Sequence, residues 1–282
     1  MTEICLAYMA YDVHELGCHF VARHAGLYQR HGLEPQLVDA KVAGADLPDR
    51  CFRAACAAAL AGWLNGDDIR VVFVAAEKPM FWLYGTPGLQ ELSGLQGKTI
   101  AGYPPPAPPA LFLRYLLDQE GINGVDFLPA LDDEARLGML ADGSAAAALL
   151  SSRVAPDAAD SSGLEPLLFL GDQLRIATTG LAATPAFCAE EPGLIAAMCA
   201  CYAEALALIH GDPEALASAL RAGIETVRGS VDALVPVLRA CYTSNGRSSS
   251  EHLQAGAELV AAIMGVQVPQ PVDQLYDFSF LD

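Results

Sequence analysis

The stretch CHFVARHAGLYQRHGLEPQLVDA, residues 18–40, contains a helix, a turn and a strand in succession. Apolar and aromatic side chains recur in it at helical spacing, at Phe20, Val21, His24, Leu27 and Tyr28. This periodicity predicts a helix over 15–30 that packs one face on a core. His31-Gly32 ends the helix, because glycine readily adopts the left-handed conformation found at helix C-termini. EPQLVDA then predicts a strand.

The same alternation continues on both sides of this stretch. Short apolar runs predict buried strands in EICLAYM (3–9), IRVVFVAA (69–76) and MFWLYG (80–85). After the crossover GLQELSGLQ, the segment GKTIAGY (97–103) opens a second series of strands and helices. The last third is helical, with helices predicted over 192–210, 212–223, 230–242 and 250–264. This order predicts open, mostly parallel sheets with helices on both faces.

Composition limits the partners of the chain. Hydrophobic residues make up 53% of its 282 residues, which is enough apolar material for two modest lobes. Lys and Arg total 16 against 34 Asp and Glu, so the net charge is −18. Nucleic acid and anionic membrane surfaces are not expected partners, since both attract a positive face. No apolar run approaches the roughly 18 residues that span a bilayer, so no membrane span is expected.

The first residues and the cysteines bear on localisation. MTEICLAYM lacks the basic segment and apolar segment of a signal peptide, so a cytoplasmic protein is expected. If a leader preceded this sequence, the protein would be periplasmic. The eight cysteines are scattered, at positions 5, 18, 51, 56, 188, 199, 201 and 241. Several lie in apolar runs, which favours small hydrophobic core residues in a reducing compartment.

Several stretches resemble the type II periplasmic-binding-protein family, in the group that contains nitrate, sulfonate, taurine and thiamin-pyrimidine-precursor receptors. The resemblance is carried by FVARHAGLYQRHGLE, ALAGWLNGDDIRVVFVAA, LQGKTIAGYPPPAPPALFLRYLLDQEGI, EARLGMLADGSAAAALL, LLFLGD, TTGLAAT and VDQLYDFSFL. Their order and spacing are more specific than any one of them. They cover most of residues 3–188 and the tail.

The resemblance implies an α/β, two-lobed fold with the ligand cleft between the lobes and a helical C-terminal tail. Lobe one would combine residues 1–90 with 177–282, and lobe two would comprise 91–176. The two chain crossings would act as hinges for closure around a ligand. The implied partners are a small-molecule ligand and, for an exported protein, an ABC permease. A monomer or dimer is expected, with no cofactor and no metal.

Two segments depart from the family's pattern. Between the second and third strands only KVAGADLPD remains, so the helix usual there is expected to be shortened or lost. At the start of lobe two, YPPPAPPA replaces a loop that is normally rich in glycine and serine. Prolines have no backbone N–H to donate, so this loop is a poor cradle for a sulfonate or nitrate. A neutral or weakly charged aromatic or heterocyclic ligand is favoured.

Open α/β sheets bind ligands beyond the carboxyl ends of their strands, so polar side chains that follow predicted strands are the candidate ligand contacts. These are Tyr8, Tyr11, Asp12, His14, Arg53, Cys56, Glu77, Lys78, Tyr103, Ser151, Ser152, Arg153, Thr178 and Thr179. The planar guanidinium of Arg153 is suited to donate two parallel hydrogen bonds to a ligand carboxylate. The alternative for each is structural: pocket-lining tyrosines, a capping or solvated His14, an exposed Glu77-Lys78 turn, and threonines that complete a β ladder.

The same residues allow chemistry. His14 and Cys18 are four residues apart and share a helix face; with Cys56 they would form a thiolate or metal site. Cys56, at a helix start that lowers a thiol pKa, is also a candidate nucleophile. Two functions therefore stay open. One is a solute-binding protein. The other is a leaderless enzyme on the same scaffold, a lyase or a thiamin-pyrimidine- or menaquinone-type biosynthetic synthase, with candidate catalytic residues His14, Cys56, Glu77 and Lys78.

Overall fold

The computed structural model describes residues 1–130, 132–224, 227–268 and 271–282, apart from the side chain of Ala45. The chain forms two compact units. Unit 1 comprises Met1–Lys78, Arg175–Glu225 and Leu238–Asp282, and unit 2 comprises Pro79–Leu174 and Thr226–Val237. Each unit is built on its own five-stranded sheet, so the predicted α/β fold with two sheets is confirmed.

The described residues form strands and helices in alternation. The strands are β1 (Thr2–Tyr8), β2 (Leu33–Asp39), β3 (Cys51–Arg53), β4 (Arg70–Ala76), β5 (Trp82–Gly85), β6 (Thr99–Gly102), β7 (Asp126–Pro129), β8 (Ala147–Leu150), β9 (Glu165–Phe169) and β10 (Thr179–Ala183). The α-helices are α1 (Val13–His24), α2 (Leu27–Arg30), α3 (Ala40–Ala43), α4 (Cys56–Leu64), α5 (Pro108–Gln119), α6 (Asp133–Ala141), α7 (Pro156–Ser161), α8 (Leu170–Gln173), α9 (Pro185–Glu190), α10 (Pro192–Gly211), α11 (Pro213–Gly223), α12 (Val231–Cys241) and α13 (Ser250–Met264).

The sheet of unit 1 has the order β2-β1-β3-β10-β4. β1 runs parallel to β2 and β3, whereas β10 runs antiparallel to β3 and β4. β10 therefore enters the sheet from a distant part of the sequence and separates β3 from β4. The apolar run that predicted β4 is explained by its position, because all of its residues after Arg70 are buried.

The opening stretch forms two helices rather than one. α1 ends at His24, and Gly26 takes a left-handed conformation, with φ of 67°, before α2 begins. The prediction of a single helix over 15–30 is therefore wrong. The glycine interrupts the helix, although the helical spacing of hydrophobic residues continues on both sides of it. The helix expected to be short after β2 is confirmed as α3, which has four residues. The predicted helical tail is confirmed as α10 to α13.

The sheet of unit 2 has the order β7-β6-β8-β5-β9. β6 runs parallel to β7 and β8, and β5 runs antiparallel to β8 and β9. Trp82 at the start of β5 pairs with Leu150 at the end of β8. Phe81, the residue before β5, therefore lies at the same edge of the sheet as the carboxyl ends of β6 and β8.

The unit boundaries differ from the predicted lobes of 1–90 with 177–282 and of 91–176. Residues 79–90 lie in unit 2 because β5 pairs with β8 and β9. Residues 226–237 lie there as well, since Arg228 N–H donates to the Arg153 carbonyl at 2.8 Å and its own carbonyl accepts from Ala155 at 2.9 Å. Backbone pairing between residues so far apart leaves no period in the sequence, which is why the predicted division missed it.

The cysteines are of two kinds. Cys5 and Cys51 form a disulfide between the paired strands β1 and β3, with Cα atoms 4.6 Å apart. The prediction that all eight cysteines are reduced core residues is wrong for this pair, because strand register brings the two together. The others are buried and form no disulfide: Cys18, Cys56, Cys188, Cys199, Cys201 and Cys241. They are small hydrophobic residues, as predicted.

Reduction of this disulfide is expected to lower the free energy of unfolding by about 2–4 kcal/mol, because the cross-link restricts the unfolded chain. The two cysteines are separated by 46 positions, so the closed loop is long. Urea unfolding with and without a reductant measures the change. The variant Cys5→Ser/Cys51→Ser is the control, which should match the reduced protein and ignore the reductant. Alkylation of all eight cysteines in unreduced, denatured protein would contradict the cross-link.

α10 bears on the expectation that no segment spans a membrane. Among the described residues it is the helix long and apolar enough to cross a membrane, with 20 residues. Glu204 is its one acidic residue. Within unit 1, however, α10 packs against α1, α11 and β4 and buries residues that include Ile195, Met198 and Ile209. The core helix of a globular unit satisfies the same criteria of length and composition.

Candidate functional site

Polar and aromatic side chains gather at the carboxyl ends of the parallel strands in each unit. In unit 1 they follow β1, β3 and β4 and precede the antiparallel β10. In unit 2 they follow β6 and β8 and precede the antiparallel β5. Open α/β sheets bind ligands at this edge, where helix N-termini also lie.

The loop after β1 is held by two carboxylates. Asp12 caps α1, since its carboxylate accepts a hydrogen bond from Glu15 N–H at 2.8 Å. Glu15 accepts from the N–H groups of Met9 and Ala10 at 2.6 and 3.0 Å. Burial, and then the charge of Asp12, raise the pKa of Glu15 to about 8. Asp12 thus has a capping role. The spacing Asp12-x-x-Glu15 is that of a capping box, so sequence reasoning had the means to find Glu15.

His14 lies in the first turn of α1 and is 4% exposed. Its Nε2 is 3.0 Å from Oγ1 of Thr178, and that oxygen is 3.0 Å from the carbonyl oxygen of Ala76. Burial lowers the pKa of His14 to about 4, although a hydrogen bond with the Lys78 backbone acts in the opposite direction. The imidazole is therefore neutral at pH 7, and it joins α1 to the end of β4 and the approach to β10.

Thr178 and Thr179 are both buried where β10 begins. Thr178 contacts His14, and the hydroxyl of Thr179 lies beside that of Tyr242. The Tyr242 hydroxyl also donates to the His14 carbonyl at 2.7 Å. Thr178 therefore fastens the first turn of α1 to the sheet, in a structural role, whereas the Thr179 hydroxyl has no hydrogen-bond partner among the residues that the structure describes.

Tyr8, Tyr11 and Arg53 lie close to the ends of β1 and β3. The rings of Tyr8 and Tyr11 meet edge to face with centroids 5.5 Å apart, and the Tyr11 hydroxyl donates to the carbonyl of Gly223 at 2.9 Å. Burial, followed by the charge of Asp39, raises the pKa of Tyr8. Tyr8 and Arg53 are half-exposed, so both present polar groups to solvent.

Glu77 and Lys78 follow β4 but do not act as a pair. Glu77 Oε1 lies 2.7 Å from Arg175, and Oε2 accepts from the Ser248 hydroxyl at 2.6 Å. Both oxygens are thus engaged, and Glu77 links segments of unit 1 instead of presenting an open acid or base. Lys78 is half-exposed and has no ion-pair partner among the residues that the structure describes.

The cysteine hypotheses conflict with burial. Cys56 begins α4 with 1% exposure, and its Sγ lies 3.7 Å from the Phe73 carbonyl oxygen. Burial raises the pKa of Cys56, the reverse of the lowering expected at a helix start, so a thiolate nucleophile is disfavoured. Burial also raises the pKa of Cys18. Across the described ranges, no three His, Cys, Asp or Glu side chains are placed to hold a metal ion. His14, Cys18 and Cys56 therefore do not form a metal site.

In unit 2, Tyr103 follows β6, and Ser151, Ser152 and Arg153 follow β8. The two serines are buried, whereas Tyr103 and Arg153 are half-buried. The Ser151 hydroxyl donates to Oδ2 of Asp133 at 2.5 Å, and its N–H donates to Oδ1 at 3.0 Å. The predicted residues of this edge are therefore tied to the first turn of α6.

Asp133 and Arg136 contact Ser151 and Tyr103 at this edge, and neither was predicted from the sequence to be a site residue. Arg136 is 1% exposed; its guanidinium lies 2.8 Å from Asp133 and donates to the Ala130 carbonyl at 2.8 Å. Its central carbon is 3.9 Å from the centroid of the Tyr103 ring, which is a cation–π contact. The i, i+3 spacing of the two charges was visible, but such pairs usually lie on an exposed helix face. Burial of this pair depends on tertiary packing.

A cavity of about 410 Å³ lies at the opposite edge of the sheet of unit 1, beside Thr2 and Leu33 at the starts of β1 and β2. Arg50 and Glu191, which form an ion pair at 3.1 Å, contribute to its wall. None of the residues predicted as ligand contacts lines it. We place the candidate site at the carboxyl edges because ligand sites of open α/β sheets lie there.

Two buried histidines should each contribute a loss of stability in acid. Burial lowers the pKa of His14 and of His19 to about 4, whereas an unfolded histidine titrates near 6.5. Unfolding therefore takes up protons below pH 6.5, and the stabilisation present above that pH is lost as pH falls toward 4. Between about pH 7.5 and pH 5.5 each histidine should therefore remove roughly 1 kcal/mol from the free energy of unfolding, a contribution that urea unfolding measures by comparing the protein with a variant that lacks the histidine.

His19→Gln isolates this effect, because His19 is 2% exposed and lies outside the candidate site, 2.9 Å from the Tyr28 hydroxyl. The variant should lose the contribution of one histidine to the pH difference. Glu15, with its raised pKa of about 8, acts in the opposite sense and is common to both proteins. His24→Gln, at an exposed position of the same helix, is the control. An unchanged pH difference in His19→Gln would contradict the prediction.

No protein-family model and no curated protein sequence matches the chain. Solved structures do match. The ligand-binding component of an ABC-type import system from Staphylococcus aureus, with zinc bound, aligns with a TM-score of 0.77 and 14% identity over 100% of this chain and 98% of that chain. The alkanesulfonate-binding protein SsuA from Xanthomonas axonopodis pv. citri, bound to MOPS, aligns with a TM-score of 0.71 and 15% identity over 95% of each chain. The desulfurization enzyme DSZB aligns with a TM-score of 0.71 and 13% identity over 99% of this chain and 97% of that chain.

These likenesses show the fold. The chain has the periplasmic-binding-protein fold, as its sequence predicted, with two α/β sheets and a helical C-terminal region. Binding proteins and an enzyme share this fold, so function depends on the residues of the site.

Proposed function

We propose that the protein is a solute-binding protein that holds a small organic ligand at the carboxyl edges of both sheets and closes its two units over it. The observation that carries the proposal is the arrangement at these edges. Each has buried, hydrogen-bonded polar groups behind half-exposed aromatic and cationic side chains: Tyr8, Arg53 and Lys78 in unit 1, and Tyr103 and Arg153 in unit 2. Rigid supports with a few partly exposed contacts suit reversible binding.

The proposal extends to the ligand class and the group of relatives. The loop after β6 contains Pro104, Pro105 and Pro106, which cannot donate backbone hydrogen bonds. This supports an aromatic, heterocyclic or polar organic ligand over a compact oxyanion such as nitrate. Kinship with the thiamin-pyrimidine-precursor receptors, within the wider group of nitrate, sulfonate and taurine receptors, is supported by the resemblance of the sequence stretches alone.

The Cys5–Cys51 disulfide supports an exported protein that works with an ABC permease. Disulfides persist in oxidising compartments such as the periplasm and are rare in the cytosol. This observation favours the periplasmic alternative over the cytoplasmic one. Two likenesses of fold, to a ligand-binding component of an import system and to an alkanesulfonate-binding protein, support the same partner.

An enzyme on the same fold is the second candidate, and the likeness to the desulfurization enzyme DSZB favours it. His14 is the residue of this chain best suited to such a role, since it is neutral at pH 7 and hydrogen-bonded to Thr178. The other candidate catalytic residues give less support to an enzyme. The Cys56 thiol has a raised pKa, and both oxygens of Glu77 are engaged. Binding without turnover therefore has the better support.

Native mass spectrometry of protein purified from its own host tests the proposal by detecting a bound small molecule. Small-angle scattering should then show a smaller radius of gyration with that molecule than without it. Arg53→Gln should weaken its binding without a loss of stability. Lys98→Gln is a matched control, because Lys98 is exposed at the amino end of β6. Consumption of the captured molecule would favour the enzyme, and the lack of any bound molecule or closure would overturn the proposal.

A further inference from the structure

All the asparagines of the chain stand in one sequence context. There are three, Asn65, Asn123 and Asn245, and a glycine follows each of them. The backbone nitrogen after an asparagine can attack the side-chain amide carbon, and a glycine at that place has no Cβ to obstruct the approach. The sequence therefore offers three equivalent candidates for spontaneous deamidation, and the fold decides which of them reacts.

Two of the three glycine nitrogens are engaged in hydrogen bonds. The Gly66 N–H donates to the Trp63 carbonyl at 3.0 Å, just after the end of α4. The Gly246 N–H donates to Oγ1 of Thr243 at 3.1 Å, and Gly246 is buried. The nitrogen must lose its proton to a base in solution as it attacks, so a proton that is hydrogen-bonded or shielded from solvent slows the step.

Gly124 differs in both respects. It is exposed, and its N–H donates no hydrogen bond to any residue that the structure describes. Asn123 is exposed as well, and its Nδ2 donates to the Gly121 carbonyl at 2.9 Å. Water readily replaces an exposed hydrogen bond of this kind, since the exchange has a small net cost. The nucleophile and the amide carbon of this pair are therefore both accessible.

We propose that Asn123 is a site of spontaneous covalent modification, at which asparagine becomes aspartate or isoaspartate while Asn65 and Asn245 stay intact much longer. The Gly124 nitrogen bonds to the amide carbon of Asn123 and gives its proton to solvent. Nδ2 takes up a proton and leaves as ammonia, which produces a five-membered succinimide.

Water completes the reaction by adding to one of the two carbonyl carbons of the ring, where the C–N bond then breaks. Opening at the side-chain carbon gives aspartate, and opening at the main-chain carbon gives isoaspartate. Water is the only co-reactant, and no group is oxidised or reduced. The inference does not depend on the proposed function.

The product alters the turn that precedes β7. The Asn123 carbonyl accepts from the Gly97 N–H at 3.3 Å, just before β6 begins. In isoaspartate this carbonyl becomes a free carboxylate, and the main chain to Gly124 gains one carbon. The new charge and the longer link should loosen the paired starts of β6 and β7, where the Asp126 N–H donates to the Lys98 carbonyl at 3.0 Å.

Peptide mapping by mass spectrometry during incubation in mildly alkaline buffer tests the inference, because a carboxyl is heavier than the amide it replaces. Asn123 should convert at least about fivefold faster than Asn65 or Asn245, which is the factor expected from one hydrogen bond on the attacking N–H. In urea-denatured protein the three sites should convert at similar rates. Gly124→Ala should slow the conversion of Asn123, and Gly66→Ala, the matched control, should leave it unchanged.

Hydrogen exchange measures the effect on the strands. After incubation, backbone amides of residues 97–102 and 124–129 should exchange faster than before, whereas Asn123→Gln treated in the same way should show no change. The inference is overturned if Asn65 or Asn245 converts first, if the three sites convert equally fast in the folded protein, or if Gly124→Ala converts as the parent does. Unchanged exchange after conversion of Asn123 would overturn the proposed loosening of β6 and β7.

Discussion

Arg136→Met is expected to destabilise unit 2 by about 3–5 kcal/mol, because it removes one partner of a buried ion pair. Arg136 is 1% exposed and Asp133 6% exposed, and their charged groups lie 2.8 Å apart. Without the guanidinium, the Asp133 carboxylate stays buried with only the two hydrogen bonds from Ser151. The contact of Arg136 with the Tyr103 ring is lost as well.

Urea unfolding followed by tryptophan fluorescence measures this loss unit by unit. The chain has two tryptophans, Trp63 in unit 1 and Trp82 in unit 2, so a Trp63→Phe background reports on unit 2. The second substitution Asp133→Leu should recover part of the stability lost in Arg136→Met, since it removes the unpaired charge. A double variant no more stable than Arg136→Met would contradict the argument. Arg50→Met, which breaks exposed ion pairs with Glu190 and Glu191, should change the unfolding curve little.

The regular parts of the fold were predictable because their hydrophobic periods are local. α13 spans Ser250–Met264 where the pattern predicted 250–264, and α12 spans Val231–Cys241 where it predicted 230–242. The rule for strand ends also directed attention to His14, Tyr103 and Ser151, which the structure places at the carboxyl edges of the two sheets. Whether they bind ligand stays a prediction.

What the sequence did not reveal depends on contacts between distant segments. The disulfide requires the register that sets Cys5 opposite Cys51, and no local pattern encodes it. The side chains around Ser151 come from α6, whose Asp133 and Arg136 look like an ordinary surface pair in the sequence. Glu77 stands next to Lys78, yet its carboxylate reaches Arg175 and Ser248. Burial and partner choice, which decide the chemistry of each group, are properties of the assembled sheets.

The insertion of β10 between β3 and β4 depends on Gly180. The β10–β4 register shifts between Thr179 and Gly180, and Gly180 has a φ of 157°. A Cβ at this position would lie 2.0 Å from the carbonyl oxygen of Phe73 and 3.0 Å from the backbone nitrogen of Ala75. Both are main-chain atoms of β4, a buried strand, so neither can move aside as a flexible side chain would. The close approach of the two backbones therefore requires glycine.

Gly180→Ala is accordingly expected to lower the free energy of unfolding of unit 1 by about 4 kcal/mol, as overpacking adds to backbone strain. Fluorescence of Trp63 in a Trp82→Phe background should report the transition of unit 1 at a lower urea concentration. Gly193→Ala is the matched control, because a Cβ there meets no atom within 4 Å and alanine favours the helix α10. It should leave stability unchanged or slightly higher. Equal unfolding of the two variants would mean that β4 and β10 can separate without cost, and the close strand contact would then not stabilise unit 1.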